Sequence, residues 1–236
     1  MTLPSAATVQ AAVEATWPPA RYWTDGPFTL RDGAGGGKRV SATTATGPVT
    51  APQIARVDSP LFCIRQGEDA LDTLLEQAGY QIIDPVTLYA IPVADLIDPD
   101  LPTLAAICSD TPLAILREIW QEGGIGPGRI AVMERAPSPK TYLLGRINDR
   151  PAGAAFAAIS DGLAMVHAIE TRPRFRRAGV ARAMLRRAAD WAAHHGAAHL
   201  ALAVTTANEP ANALYSSLGM RPVGQYHYRI RPETPT

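Results

Sequence analysis

A chain of 236 residues and 25.1 kDa exceeds one ordinary compact domain of about 100 to 150 residues, so two packed units or one elaborated unit are expected. With 47% hydrophobic and 19% charged residues it has a globular composition, which excludes a disordered chain, a collagen-like repeat and a coiled coil. The formal net charge of zero conceals a split: residues 1–125 hold 7 basic and 15 acidic side chains, and residues 126–236 hold 15 and 7. That suits two mutually attracting units, one unit that meets a polyanionic ligand, or merely two solvated faces. There is no apolar run of about 18 residues, and the start has no basic stretch followed by an apolar one, so neither a membrane span nor a secretory signal is expected and the compartment is read as the cytoplasm. Cys63 and Cys108 have apolar neighbours and suit buried thiols; no metal site is expected.

In chain order, Pro4 to Ala15 reads as a short helix, followed by extended runs at Phe28 to Arg31 and Arg39 to Thr46. The glycine-rich turn between them, Gly33 to Arg39, lacks the spacing and the Ser or Thr of a phosphate loop and reads as a flexible hairpin loop. Leu61 to Arg65 is a strand, Glu68 to Ala78 a helix stopped by Gly79, and extended segments lie on both sides of Pro85. Asp95 to Pro102, rich in Asp and Pro, reads as a linker, and the domain boundary is placed at 98/99.

Pro112 to Trp120 is expected to be helical. Strands follow at Arg129 to Glu134, Thr141 to Ile147, Ala152 to Ile159 and Leu163 to Thr171. The strongest helix begins after Gly179, with Val180, Met184, Ala188, Trp191 and Ala192 on one face. Leu200 to Val204 is a buried strand, Asn208 to Leu218 a helix ended by Gly219, and the last strands lie between Arg221 and Ile230. Laying Gly79 on Gly219, an offset of 140, superposes strand on strand and helix on helix, which suggests an internal repeat of low identity.

The loop Arg176-Arg177-Ala178-Gly179-Val180-Ala181 joins a strand to this long helix. Free backbone N–H groups, the positive helix end and small residues together make such a junction an anion site. A nucleic-acid patch would need interleaved aromatic residues, and only Phe175 is near.

Here the chain resembles the GNAT superfamily of N-acetyltransferases, whose acetyl-CoA signature is Gln or Arg, two residues, Gly, one residue, then Gly or Ala; Arg176 to Ala181 fits it. Ile169 to Phe175 is similar to the family's fourth strand and its exit, and Asn208 to Tyr215 with Leu218-Gly219-Met220 to its later motif, so the likeness covers about residues 105 to 236. The resemblance implies an α/β GNAT fold, a mixed central sheet flanked by helices, in which residues 99–236 form the acetyltransferase domain and residues 1–98 a degenerate half-GNAT domain, as in tandem members.

It implies transfer of an acetyl group from acetyl-CoA, as co-substrate, to a primary amine on a small molecule or peptide, by direct attack. The phosphates would sit on Arg176, Arg177, Ala178, Gly179, Val180 and Ala181; Ile169 and Thr171 would hold the pantetheine arm by their backbone, and Asn208 would add a contact. Tyr215 occupies the general-acid position. Where many members place a basic glutamate the residue here is Met165, which leaves His167, Glu170, a water relay or His227 as proton acceptors. Glu170 points away from His167 in a regular strand, and a bulge would bring it round. A cofactor-binding module without turnover is the alternative.

Overall fold

The computed structural model describes residues 2–232. Helix α1 (Ala6–Thr16) begins at Ser5, whose hydroxyl accepts the Thr8 N–H at 3.1 Å, an ordinary N-cap. Strands β1 (Arg21–Asp25), β2 (Phe28–Asp32) and β3 (Thr44–Ala45) form an antiparallel sheet, followed by helix α2 (Ala51–Arg56), strand β4 (Leu61–Arg65), helix α3 (Asp69–Gln77), strand β5 (Gln81–Pro92) and a helical turn, α4 (Val93–Leu96). Next come β6 (Ala106–Ser109), α5 (Ala114–Glu122), α6 (Pro127–Arg135), β7 (Lys140–Ile147), β8 (Arg150–Ser160) and β9 (Leu163–Thr171). The chain ends with α7 (Val180–His194), β10 (His199–Thr205), α8 (Glu209–Ser217) and β11 (Arg221–Ile230).

Eight strands form one mixed sheet in the order β4-β11-β5-β10-β9-β8-β7-β6, and a parallel bridge from Thr43 to Phe62 continues it toward β3. The offset of 140 is a symmetry of this sheet. Thr205 pairs with Val86 and Arg65 with Tyr226; Ala201 pairs with Ala90 and Leu61 with Ile230. The central pair, Val86 with Tyr226, maps onto itself. Helices α3 and α8 begin and end 140 residues apart, and each is followed by a left-handed glycine, Gly79 at φ 85° and Gly219 at φ 81°. The two copies exchange their last strands: β5 pairs with β10 and β11 with β4. Segments from both halves of the sequence therefore share one sheet.

Helix α7 covers one face of the second half, burying Val180, Met184, Leu185 and Ala188 against the alanines of β8 and β9. Its first turn lies so close to the sheet that a methyl group on Gly145 or Gly153 would stand 2.7 or 2.8 Å from Val180 Cγ1. The opposite face is covered by α1, whose Val9 and Val13 pack on Met165, and by α5, whose Trp120 packs on Tyr142. Met165 is fully buried beneath α1, which explains an apolar residue there.

Several sequence expectations need correction. Residues 129–134 belong to helix α6, not to a strand: Pro127 opens it at a position that suits proline, and Ile130 and Met133, one turn apart, face the core. The glycine-rich turn is not a simple hairpin loop, because Gly36 packs on Val132 and Gly35 on Gly128 of α6, and Lys38–Val40 form a short 3-10 helix where an extended run was expected. Asp95 to Pro102 is no bare linker; α4 begins it, and Asp98 is ion-paired with Arg186 of α7. One strand, β11, replaces the expected pair near the C-terminus. Residues 21–25 and 51–56 form β1 and α2, where the sequence carries no expectation of an element.

Candidate active site

The site grows out of the one parallel strand pair between named strands among the described residues, β9 beside β10. Pairing runs only from Leu163–His199 to Val166–Leu202, while β9 continues to Thr171 and β10 to Thr205. The strands part company halfway along, because β9 is bulged: Ala168 takes φ 51°, and the register against β8 shifts between Ala154 and Phe156. The Trp120 indole N–H donates to the Ala168 carbonyl at 2.8 Å and satisfies a group the bulge would orphan.

The bulge decides which side chains face the cleft. Ile169 joins the core under α7, whereas Ala168 packs with the α5 side. Glu170 then returns to that second side, its carboxylate lying against Gly123 in the α5–α6 turn, where an added Cβ would meet Glu170 Cδ at 2.5 Å. Burial raises the Glu170 carboxyl above the ordinary glutamate range, opposed by the Thr171 N–H at 3.1 Å and Arg176 at 3.7 Å. Thr171 is thus already engaged at its N–H, and its carbonyl accepts from Arg176 Nε at 3.4 Å.

His167 sits elsewhere than a solvent-facing base should. It is 3% exposed, packs against the rings of Trp17 and Phe156, and its Nε2 contacts the Thr16 hydroxyl at 2.8 Å. Its Nδ1 lies 3.3 Å from Arg39. Burial first, and the Arg39 charge second, hold its pKa well below the usual histidine value, so it stays neutral. His227 lies across the sheet in an ion cluster, 2.8 Å from Asp72.

At the cleft's mouth, Arg176, Arg177, Ala178 and Gly179 are exposed. Gly179 caps α7 at φ 82°, a conformation that favours glycine. Ala183 is the first residue to donate back, to Gly179 O at 2.9 Å, so the N–H groups of Val180, Ala181 and Arg182 remain free at the positive helix end. Arg177 forms no ion pair or side-chain hydrogen bond among the described residues, which suits it to an incoming anion. Together these groups make an anion site. Asn208 caps α8, its Oδ1 accepting from Ala211 N at 3.2 Å. Tyr215 is 6% exposed, with its ring 5.8 Å from Tyr89, and burial raises its pKa to about 12. Two positioning residues escaped the sequence reading. Asn212 ties α8 to the end of β10 through Thr205 O at 3.1 Å and accepts from Tyr89 at 3.2 Å, and Trp120 fixes the bulge.

Among the described residues no helix is long and apolar enough to cross a membrane. Residues 108–220 match the model of the Acetyltransferase (GNAT) family. The "Uncharacterized N-acetyltransferase YobR" of Bacillus subtilis (strain 168) is 29% identical over 102 residues, 42% of this chain; the match spans 40% of that relative's length. Among solved structures, a GCN5-related N-acetyltransferase from Kribbella flavida shares the fold over 97% of this chain and 96% of its own, with a TM-score of 0.72 at 20% identity. A tandem GNAT protein from the clavulanic acid biosynthesis pathway covers 97% of this chain and 88% of its own, with a TM-score of 0.61 at 12% identity. The splayed strands and the capped helix lie inside residues 108–220, the segment that matches the family model.

Proposed function

We propose that the protein is a cytoplasmic N-acetyltransferase that carries an acetyl group from acetyl-CoA to a primary amine on a small molecule or peptide. The observation that carries this reading is the parting of β9 and β10 between an open helix N-terminus and a partly buried carboxylate, Glu170. Acetyl-CoA supplies the thioester to be attacked. Val180 and Ala181 hold its phosphates by their N–H groups, aided by Arg177. Glu170 takes the proton from the amine; a neutral, buried His167 has no path to do so. Tyr215, protonated throughout the physiological range, gives its proton to the sulfur as the carbon–sulfur bond breaks and the carbon–nitrogen bond forms.

In this proposal residues 99–236 form the acetyltransferase domain and residues 1–98 a degenerate GNAT domain. The matched registers at an offset of 140 support it, as does the likeness to a structure described as tandem. A thiol-release assay with acetyl-CoA against a panel of amines and peptides tests the activity, and Gly179→Glu should abolish acetyl-CoA binding while leaving the fold intact. Unchanged affinity in folded Gly179→Glu removes the phosphate site; cofactor binding with no thiol release from any amine leaves a binding module.

A further inference from the structure

A cavity of about 1040 Å³ lies away from the β9–β10 cleft. It lies in the N-terminal half, walled by α1 (Ala11, Ala15), by β3 and its exit (Thr44, Pro48) and by the start of α3 (Leu71). By the offset of 140, the end of β4 and the start of α3 correspond to the end of β10 and the start of α8, so this cavity is the counterpart of the cofactor cleft.

It has lost the means to hold phosphates. The helix that follows β3, α2, has six residues, Pro48 and Pro52 have no N–H, and the Gln53 side chain accepts the Thr50 N–H at 2.8 Å. Two cations on its wall are neutralised, Arg31 by Glu14 at 3.3 Å and Arg65 by Glu68. A third is not. Glu14, Pro19, Arg31 and Thr44 line both this cavity and a small inner chamber that reaches Arg39, Tyr226 and Tyr228. Arg39 forms no ion pair among the described residues; its Nε is sealed from solvent without a partner. The Tyr226 hydroxyl, on a residue only 3% exposed, lies beside Arg39 and has no hydrogen bond of good geometry either. Two buried donors left open at the end of a largely apolar cavity are costly unless an acceptor fills the gap.

We propose that this cavity is a second ligand site, distinct from the cofactor cleft, which takes a small monocarboxylate with an apolar body. The carboxylate accepts from Arg39 Nε and the Tyr226 hydroxyl, and the apolar body lies along α1 and Pro48. No covalent step is involved.

Titration calorimetry of the full chain with sodium octanoate tests it, with octan-1-ol as the uncharged control. One octanoate should bind per chain, unaffected by saturating acetyl-CoA, with octan-1-ol at least about tenfold weaker, the loss of a charge-assisted pair. Arg39→Met should weaken octanoate by a similar factor, and Ala15→Trp, which fills the cavity with Arg39 in place, should abolish it; both should retain acetyl-CoA affinity. If Arg39→Met does not fold, Ala15→Trp decides. Absence of octanoate binding, wild-type affinity in either variant, or displacement of octanoate by acetyl-CoA overturns the proposal.

Discussion

Replacing Glu170 by Gln removes the proposed proton acceptor with almost no change of shape. Gln retains an oxygen for the Thr171 N–H, so the bulged end of β9 should hold and acetyl-CoA affinity should change little. Loss of a positioned base costs about 10²- to 10⁴-fold in turnover, or about 3 to 5 kcal/mol of transition-state stabilisation. The pH profile adds a second readout. Only the carboxylate accepts a proton, so wild-type turnover at saturating acetyl-CoA should rise with pH through a midpoint above the ordinary glutamate value, the direction in which burial moves this group. Arg176 opposes that rise from 3.7 Å, and its side chain is 62% exposed, so a water-like dielectric applies. Coulomb's law then gives about 1 kcal/mol. Arg176→Gln should therefore move the acidic limb to higher pH, and Glu170→Gln should abolish the limb. A Glu170→Gln enzyme within twofold of wild type in thiol release, with its acidic limb in place, would refute the assignment.

Tyr215→Phe should lower turnover by about 10²-fold or more while acetyl-CoA affinity, read by calorimetry, stays put; equal losses in both would reduce Tyr215 to a packing residue. Gly153→Ala places a methyl group 2.8 Å from Val180 Cγ1 and 2.9 Å from the Glu170 carbonyl, and overpacking should cost about 1 to 3 kcal/mol in urea unfolding. Asp72 of α3 accepts from Arg229 at 2.7 Å and from His227 at 2.8 Å; Arg229 first, then His227, hold its carboxyl below the usual aspartate value. Its contribution is present above the unfolded pKa and is lost as pH falls through the lower folded one. Asp72→Ala strips Arg229, only 4% exposed, of its nearest carboxylate and should cost about 3 kcal/mol at neutral pH, a difference that narrows in acid; a constant difference down to low pH would contradict the ion-pair account.

Much of this molecule was legible in the residues themselves. The cap at Gly179, the apolar stripe of α7 and the helix stops at Gly79 and Gly219 are local, since a φ preference or a 3.6-residue period needs no distant partner. The offset of 140 was legible for the same reason, as a recurrence of local signals. The strand exchange was not, because β5 could not be assigned to β10 or β11 without knowing which edges meet in space. Residues 129–134 misled because Ile130 and Val132 alternate like a strand, and only the glycine loop packed on α6 makes the helical choice evident. The candidate active site turned on contacts of the longest range. Trp120, 48 positions earlier, stabilises the bulge that swings Glu170 round to the side of Gly123. Thr16, 151 positions earlier, and Arg39, 128 earlier, close His167 away from solvent. The chain determines which residues can titrate, but burial and facing set which of them reaches a substrate, and those come from elements that meet only in the folded state.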